Sequence, residues 1–254
     1  VSDAPWRDVL ATWIPRLSPG LVGVLFHGLI RVGHAARGLA ARENALRRNE
    51  LADGLAYWAA HSLPLPEKRS AAPRTRRPSL ALGDVPRVGD ADRVVRGSMR
   101  QRLAPVMRLA GFPAVADLAA PDGDGTAYLS DLTATFAGIV AGGAPSGAFI
   151  NFLHGVTGPA AIRLILPHVP PDAQRLLLRY GWQAGAALVS AFGTGPSPTG
   201  ATATVATLEQ LVERAVASGE EHAIKLTEAC LRENALAPDR VFGAAAKVAL
   251  DRLT

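Results

Sequence analysis

Residues 132–162 and 183–208 contain no Asp, Glu, Lys or Arg. A chain must cover such stretches, and that burial requirement limits the available folds more than any other feature. Each run is interrupted, the first by AGGAPSG, Asn151 and His154, the second by FGTGPSPTGAT. Neither is therefore an unbroken apolar span of the ~20 residues a membrane crossing needs. The reading is of buried helices joined by tight loops, with no membrane partner. Hydrophobic residues make up 48% of the 254 and aromatics only 6%, so the core is mostly Ala, Leu and Val, which suits close-packed helices.

Helix signals recur along the whole chain. Ser18 and Pro19 look like an N-cap and first helical position for a helix running to about Leu39. ARENALRRNELADGLAYWAAHSL (41–63) predicts the next, ended by Pro64, and a further helix is expected over about 92–110. DLTATFAGIVAGG and PSGAFINFLHGV read as two short helices split by Gly-Gly, and GPAAIRLILPHV as the start of another with Pro159 near its N-terminus. PDAQRLLLRYGWQAGAALVSAFG, LEQLVERAVAS, GEEHAIKLTEACLREN and DRVFGAAAKVAL complete the set. Ser218 and Glu221 have the S-x-x-E spacing of a capping box. No period-two alternation persists for five residues, and no repeat at a fixed period is found. The expectation is an all-α, single-domain multi-helix bundle over 1–254 with a Pro/Arg-rich loop or ordered crossover at about 64–91, where five prolines fall.

Net charge is +5, but residues 67–102 hold ten Lys/Arg against four Asp/Glu, so that segment alone carries +6 and the remainder −1. No aromatic residue lies there to stack on bases, so a nucleic-acid partner is not expected. The one cysteine, Cys230, excludes an internal disulfide framework and fits a reducing, cytoplasmic location. VSDAPWRD does not read as a signal peptide.

Candidate chemistry lies in the histidines: His27, His34, His61, His154, His168 and His222. His27 and His34 are seven apart, close to one helical face. His27, in VGVLFHGLI, and His154, in AFINFLHGVTG, sit in apolar settings. His61 is placed to cap a helix end, and His168, between Pro167 and Pro170, suits a surface turn. Convergent imidazoles suit Zn, Fe, Cu or Ni. H-E-x-x-H, E-x-x-H, H-x-D/E, adjacent His-Asp and G-x-S-x-G are all absent, as are a Rossmann fingerprint and a P-loop. A site built here is therefore rich in histidine and poor in carboxylate. Lys225 follows His222 by three in EEHAIKLTEAC. A lysine held neutral beside a metal reacts with carbon dioxide, and the resulting carbamate is an anionic oxygen ligand. For a lone pair of this spacing, the simpler role is an exposed Lys225–Glu228 contact.

FHGLIRVGHAARGL (26–39), ELADGLAYWAAH (50–61), NFLHGVTGPAAIRLILPH (151–168) and EHAIKLTEACLRENALAPD (221–239) together resemble the questin oxidase-like family. The resemblance spans most of the chain. It implies an α-helical oxygenase acting on an anthraquinone-like aromatic polyketide with dioxygen, by Baeyer–Villiger-type or ring-opening oxidation. It further implies mononuclear non-haem Fe(II) held by His27, His154, His222 and a carboxylated Lys225, with His34 as an additional candidate. NADPH goes with the family as a reductant, although no dinucleotide motif is present. Family members carry a further N-terminal helical region with an Asn-His motif, and this sequence begins after it, so His34 or His61 is expected to substitute or the site to be incomplete. Phe26, Phe149, Phe152 and Trp182 could wall a flat aromatic ligand or simply pack the core. Arg31 could contact a substrate oxygen or be an ordinary surface arginine. The rival readings are a metal-free helical protein binding hydrophobic aromatic ligands and, more weakly because no cysteine ligands are available, a structural zinc protein.

Overall fold

The computed structural model describes residues 4–69, 76–121, 123, 125–193 and 207–254. The fold is all-α. Among the described residues there is no strand, only an isolated bridge between Arg76 and Ala120. The helices are α1 (Trp6–Leu17), α2 (His27–Ala41), α3 (Ala45–Ala60), α4 (Pro78–Ala81), α5 (Met99–Arg108), α6 (Gly125–Ala141), α7 (Phe149–Ile165), α8 (Pro171–Phe192), α9 (Leu208–Ser218), α10 (Glu221–Leu236) and α11 (Arg240–Leu253), with short 3₁₀ turns between several of them. Two compact units are distinguished, Val1–Tyr128 with Ala161–Gly193, and Leu129–Ala160 with Thr194–Thr254. The first two boundaries fall inside α6 and α7.

In the first unit, α2 and α3 form an antiparallel pair. A Cβ on Gly28 would come within 2.5 Å of Trp58 Cβ, so the helices approach as closely as glycine allows. Arg31 grips Glu50 with two bonds of 2.6 and 3.0 Å, which is where that guanidinium goes. The single helix expected from Ser18 is not formed. Ser18 instead turns its hydroxyl back to Ile14 O (2.7 Å) and begins a 3₁₀ turn. The reason is the crossing of residues 61–63: a Cβ on Gly20 would meet Ser62 Oγ at 1.8 Å, and one on Gly23 would meet His61 O at 1.9 Å. The chain then passes through Val24, Leu25 and Phe26 with φ of 45°, 52° and 62° before α2 begins at His27. Left-handed backbone costs a non-glycine residue about 1–3 kcal/mol, and a β-branched valine tolerates it poorly. α3 starts later than the expected 41, because Asn44 caps it through Arg47 N–H (3.0 Å). α5 starts at Met99 behind a capping box of Ser98 and Gln101, not near 92.

Helix α8 is buried from Tyr180 through Phe192. One of its turns fastens the Pro/Arg-rich crossover. Arg179 donates to Glu67 Oε1 (2.7 and 3.0 Å), to Asp117 Oδ1 (2.6 Å) and to Ala116 O (3.2 Å). Tyr180 Oη donates to Glu67 Oε2 (2.8 Å), Trp182 Nε1 to Val115 O (2.8 Å) and Gln183 Nε2 to Pro66 O (3.1 Å). The crossover is thus ordered where described; residues 70–75 lie outside the described residues. So do Val1–Asp3 of the N-terminal stretch and 194–206, where the second uncharged run is interrupted.

In the second unit, α9, α10 and α11 pack on one another. Pro159 does not start a helix: it lies inside the continuous α7, where it gives up the bond to Gly155 O. The window Phe149–His168 is long and apolar enough to cross a membrane by length and composition, with mean hydropathy 1.3, but 78% of it is buried within the protein.

Burial opposes ionisation of Glu67, yet the hydrogen bonds from Tyr180 and Arg179 outweigh it and hold its carboxyl below the usual range. A depressed carboxyl contributes stability above its unfolded pKa that is lost as pH falls through the folded value. Arg179→Met should therefore lower stability by about 3 kcal/mol in urea at neutral pH, because two carboxylates lose their partner. Glu67→Gln should flatten the loss of stability below about pH 4.

Candidate functional site

The second unit brings two of the sequence-identified histidines together. The rings of His154 on α7 and His222 on α10 meet edge to face, with centroids 5.5 Å apart and planes at 75°. His154 is fully buried, and its Nδ1 lies 2.8 Å from Ile150 O, one turn back in α7. A carbonyl oxygen only accepts, so Nδ1 carries the proton. The Nε2 lone pair is then the coordinating position of the neutral ring. Asn151 and Thr157, three residues either side of His154, are also buried.

His222 reaches the same state by another route. Its Nδ1 lies 3.1 Å from Glu220 Oε1 and 3.6 Å from Glu221 Oε1, and ionised carboxylates can only accept. Glu220 is the device the sequence reading missed. The expected capping box from Ser218 is not made: Ser218 ends α9, its Oγ donating to Ala215 O (2.8 Å) and accepting from Glu220 N–H (3.2 Å). Gly219 reverses the chain at φ 67°, and Glu220 itself caps α10 by accepting from Ala223 N–H (2.7 Å). One carboxylate thus starts the helix and sets the tautomer of the histidine two residues on. Burial works against its charge, but Ala223 N–H and His222 hold the Glu220 carboxyl below the usual range. An acidic residue two before a histidine at a helix start was the available signal.

Lys225 Nζ lies 3.8 Å from Glu221 Oε1, and its side chain is 29% exposed. Carbamate formation on Nζ requires this pair to open. Deeper in the unit, buried Glu233 accepts from Thr133 (3.2 Å), and Arg232 donates to Ala160 O (2.8 Å). Cys230 is fully buried; burial first, then Glu233 and Glu228, push its thiol well above the ordinary range, so it stays protonated.

Of the remaining candidates, His27, His34, His61, His168, Phe26 and Trp182 belong to the first unit, and Phe149 and Phe152 to the second. His27 opens α2 directly after the left-handed turn and is half-buried. His34 lies two turns on, and Arg37 Nη2 is 3.0 Å from its Nδ1. Arginine only donates, so the neutral His34 ring carries its proton on Nε2, opposite to His154 and His222. His61 caps α3 through Tyr57 O (2.9 Å), and the His168 ring packs on Trp6 at 4.9 Å. Phe26, Phe149, Phe152 and Trp182 are all buried in the core. The open depressions in the first unit, of about 510 Å³ beside Trp6 and Arg48 and about 570 Å³ beside Thr126 and Gln174, are lined by none of these candidates.

Among the described residues no group of three or more His, Cys, Asp or Glu side chains is arranged to hold a metal. The donors offered together are two imidazoles, with Lys225 three residues along. No protein-family model, curated protein or solved structure matches the chain, so the functional reading rests on its own motifs and geometry. Nitrogen-resolved NMR of histidine-labelled protein should show His154 and His222 as Nδ1–H tautomers and His34 as the Nε2–H form. Glu220→Ala should give His222 a mixed tautomer and cost about 1 kcal/mol from the lost helix cap. Nε2–H forms at His154 and His222 in the unmodified protein would refute the assignment.

Proposed function

We propose that this chain is a questin oxidase-like, non-haem iron oxygenase of an anthraquinone-like aromatic polyketide. The observation that supports this most is the His154–His222 pair, two imidazoles side by side with both Nδ1 positions tied to oxygen. Metal-bound histidines characteristically have the second nitrogen fixed in this way. The donor set fits iron in that respect, and His154 and His222 would hold it. A carboxylated Lys225 would add the anionic oxygen. His27 and His34 enter through the family resemblance alone, and His34 would first have to change tautomer.

Bound Fe(II) would supply the activation of dioxygen toward an electron-rich aromatic ketone. The chain's own residues do the rest. Ile150 O and Glu220 keep the imidazole protons on Nδ1. The apolar setting of α7, with Phe152 and Leu153 fully buried, excludes water from His154. Glu221 lies 3.6 Å from His222 Nδ1 and 3.8 Å from Lys225 Nζ, so it can take up the positive charge of either. NADPH as reductant and the polyketide substrate follow from the resemblance.

Protein purified without added metal should contain about one iron per chain, lost in His154→Ala and His222→Ala but kept in His61→Ala. Zinc in its place would undercut oxygen chemistry. Absence of any metal, persisting after anaerobic loading with ferrous iron, would favour the metal-free binding protein for aromatic ligands.

A further inference from the structure

We infer that Ser79 is a modification site, phosphorylated by an arginine-directed serine kinase. In RRPSL (76–80), Ser79 has arginines three and two residues before it and a leucine directly after it. No other serine or threonine of the sequence has arginine at both positions. A kinase of this class reads the two guanidiniums with carboxylates, to which their planar donors are matched, and takes the following apolar side chain into a pocket. The fold presents these pieces outward. Arg77 and Ser79 are exposed, and Leu80 is 61% exposed. All three belong to the α4 segment, with Arg77 as its N-cap residue. Helix α4 is a single turn, Pro78–Ala81, anchored by its two buried ends. One turn has little stability of its own, so it can open to the extended form that a kinase cleft accepts.

The simplest rival is that the two arginines only fasten the crossover. That accounts for Arg76, whose guanidinium donates to Asp84 and to Leu80 O and whose N–H donates to Ala120 O (3.2 Å). Arg77 contributes to the turn through its carbonyl, which accepts from the N–H groups of Leu80 and Ala81 (3.1 Å each), and its side chain points to another use. Ser98 is the nearest competitor, exposed and two residues after Arg96, but Val95 stands three before it. Its Oγ is also committed to capping α5, accepting from Gln101 N–H (3.3 Å). In the transfer, Ser79 Oγ attacks the γ-phosphorus of ATP and an Oγ–P bond forms. The bond from that phosphorus to the β–γ bridging oxygen breaks, ADP leaves with the oxygen, and the hydroxyl proton passes to a carboxylate of the kinase. The product carries about −1.5 to −2 charge and three acceptor oxygens. It therefore competes with Asp84 for Arg76 and offsets part of the +6 of residues 67–102.

The test is incubation of the full, folded chain with the catalytic subunit of the cyclic-AMP-dependent protein kinase and Mg-ATP. Incorporation is read by intact mass and the site by peptide mapping. One phosphate per chain, on Ser79, is expected, and Ser79→Ala should abolish it. Arg77→Gln should slow incorporation about tenfold or more, the loss of one charge-assisted contact, with the helical circular dichroism unchanged. Arg100→Gln, at an exposed arginine of the same basic segment, should leave the rate unchanged, which separates motif reading from general attraction to positive charge. No incorporation, phosphate on Ser70, Thr75 or Ser98 in place of Ser79, incorporation only after unfolding in urea, or equal rates in Arg77→Gln and the unmodified chain would each overturn the proposal.

Discussion

A helical stretch without charges has to be covered, and every polar group taken in with it has to find a partner there. That constraint governs both α7 and α8. On α8 it decides the course of the crossover, because Trp182 and Gln183 are buried and Arg179 is only 19% exposed, so their donors need partners within the fold. Glu67, Asp117, Val115 O and Pro66 O meet them. Two stretches that are far apart in sequence, 66–67 and 115–117, are thereby fixed on one helix. Replacing one partner leaves the others charged and dry, which is why such a network is costly to break although its net contribution is modest.

On α7 the same constraint produces chemistry. His154 cannot be left unsatisfied in an apolar helix, and Ile150 O one turn back accepts its Nδ1 proton. The bond that makes the side chain tolerable also fixes which nitrogen keeps its lone pair. His222 reaches the same tautomer through Glu220, whose carboxylate is there to cap α10. Two ordinary structural requirements, core satisfaction and helix capping, leave a pair of imidazoles prepared in the same sense. Lys225 is less prepared, since its Nζ is paired with Glu221 at 3.8 Å.

The helical class was legible in the sequence because uncharged runs and 3.6-residue periodicity are local signals. The extents of α8 and α9 were legible for the same reason. Other boundaries depended on distant chain. Ser18 reads as a cap, but Gly20 and Gly23 are needed for contact with residues 61–63, which no local pattern reveals. Pro159 reads as a helix start, yet α7 absorbs it. Ser218 lost its capping role to Glu220, because the left-handed Gly219 shifted the start of α10. Within the site, the pairing of His154 with His222 was suggested by apolar context and resemblance, whereas the opposite tautomer of His34 depends on a single contact with Arg37 and had no sequence signature.

The account stands or falls on whether His154 and His222 act on one ion. The most direct measurement is anomalous diffraction at the iron edge from crystals of the ferrous-loaded protein. A single peak within bonding distance of Nε2 of both rings is predicted. Iron elsewhere in the molecule, or no peak while both rings remain side by side, would contradict it.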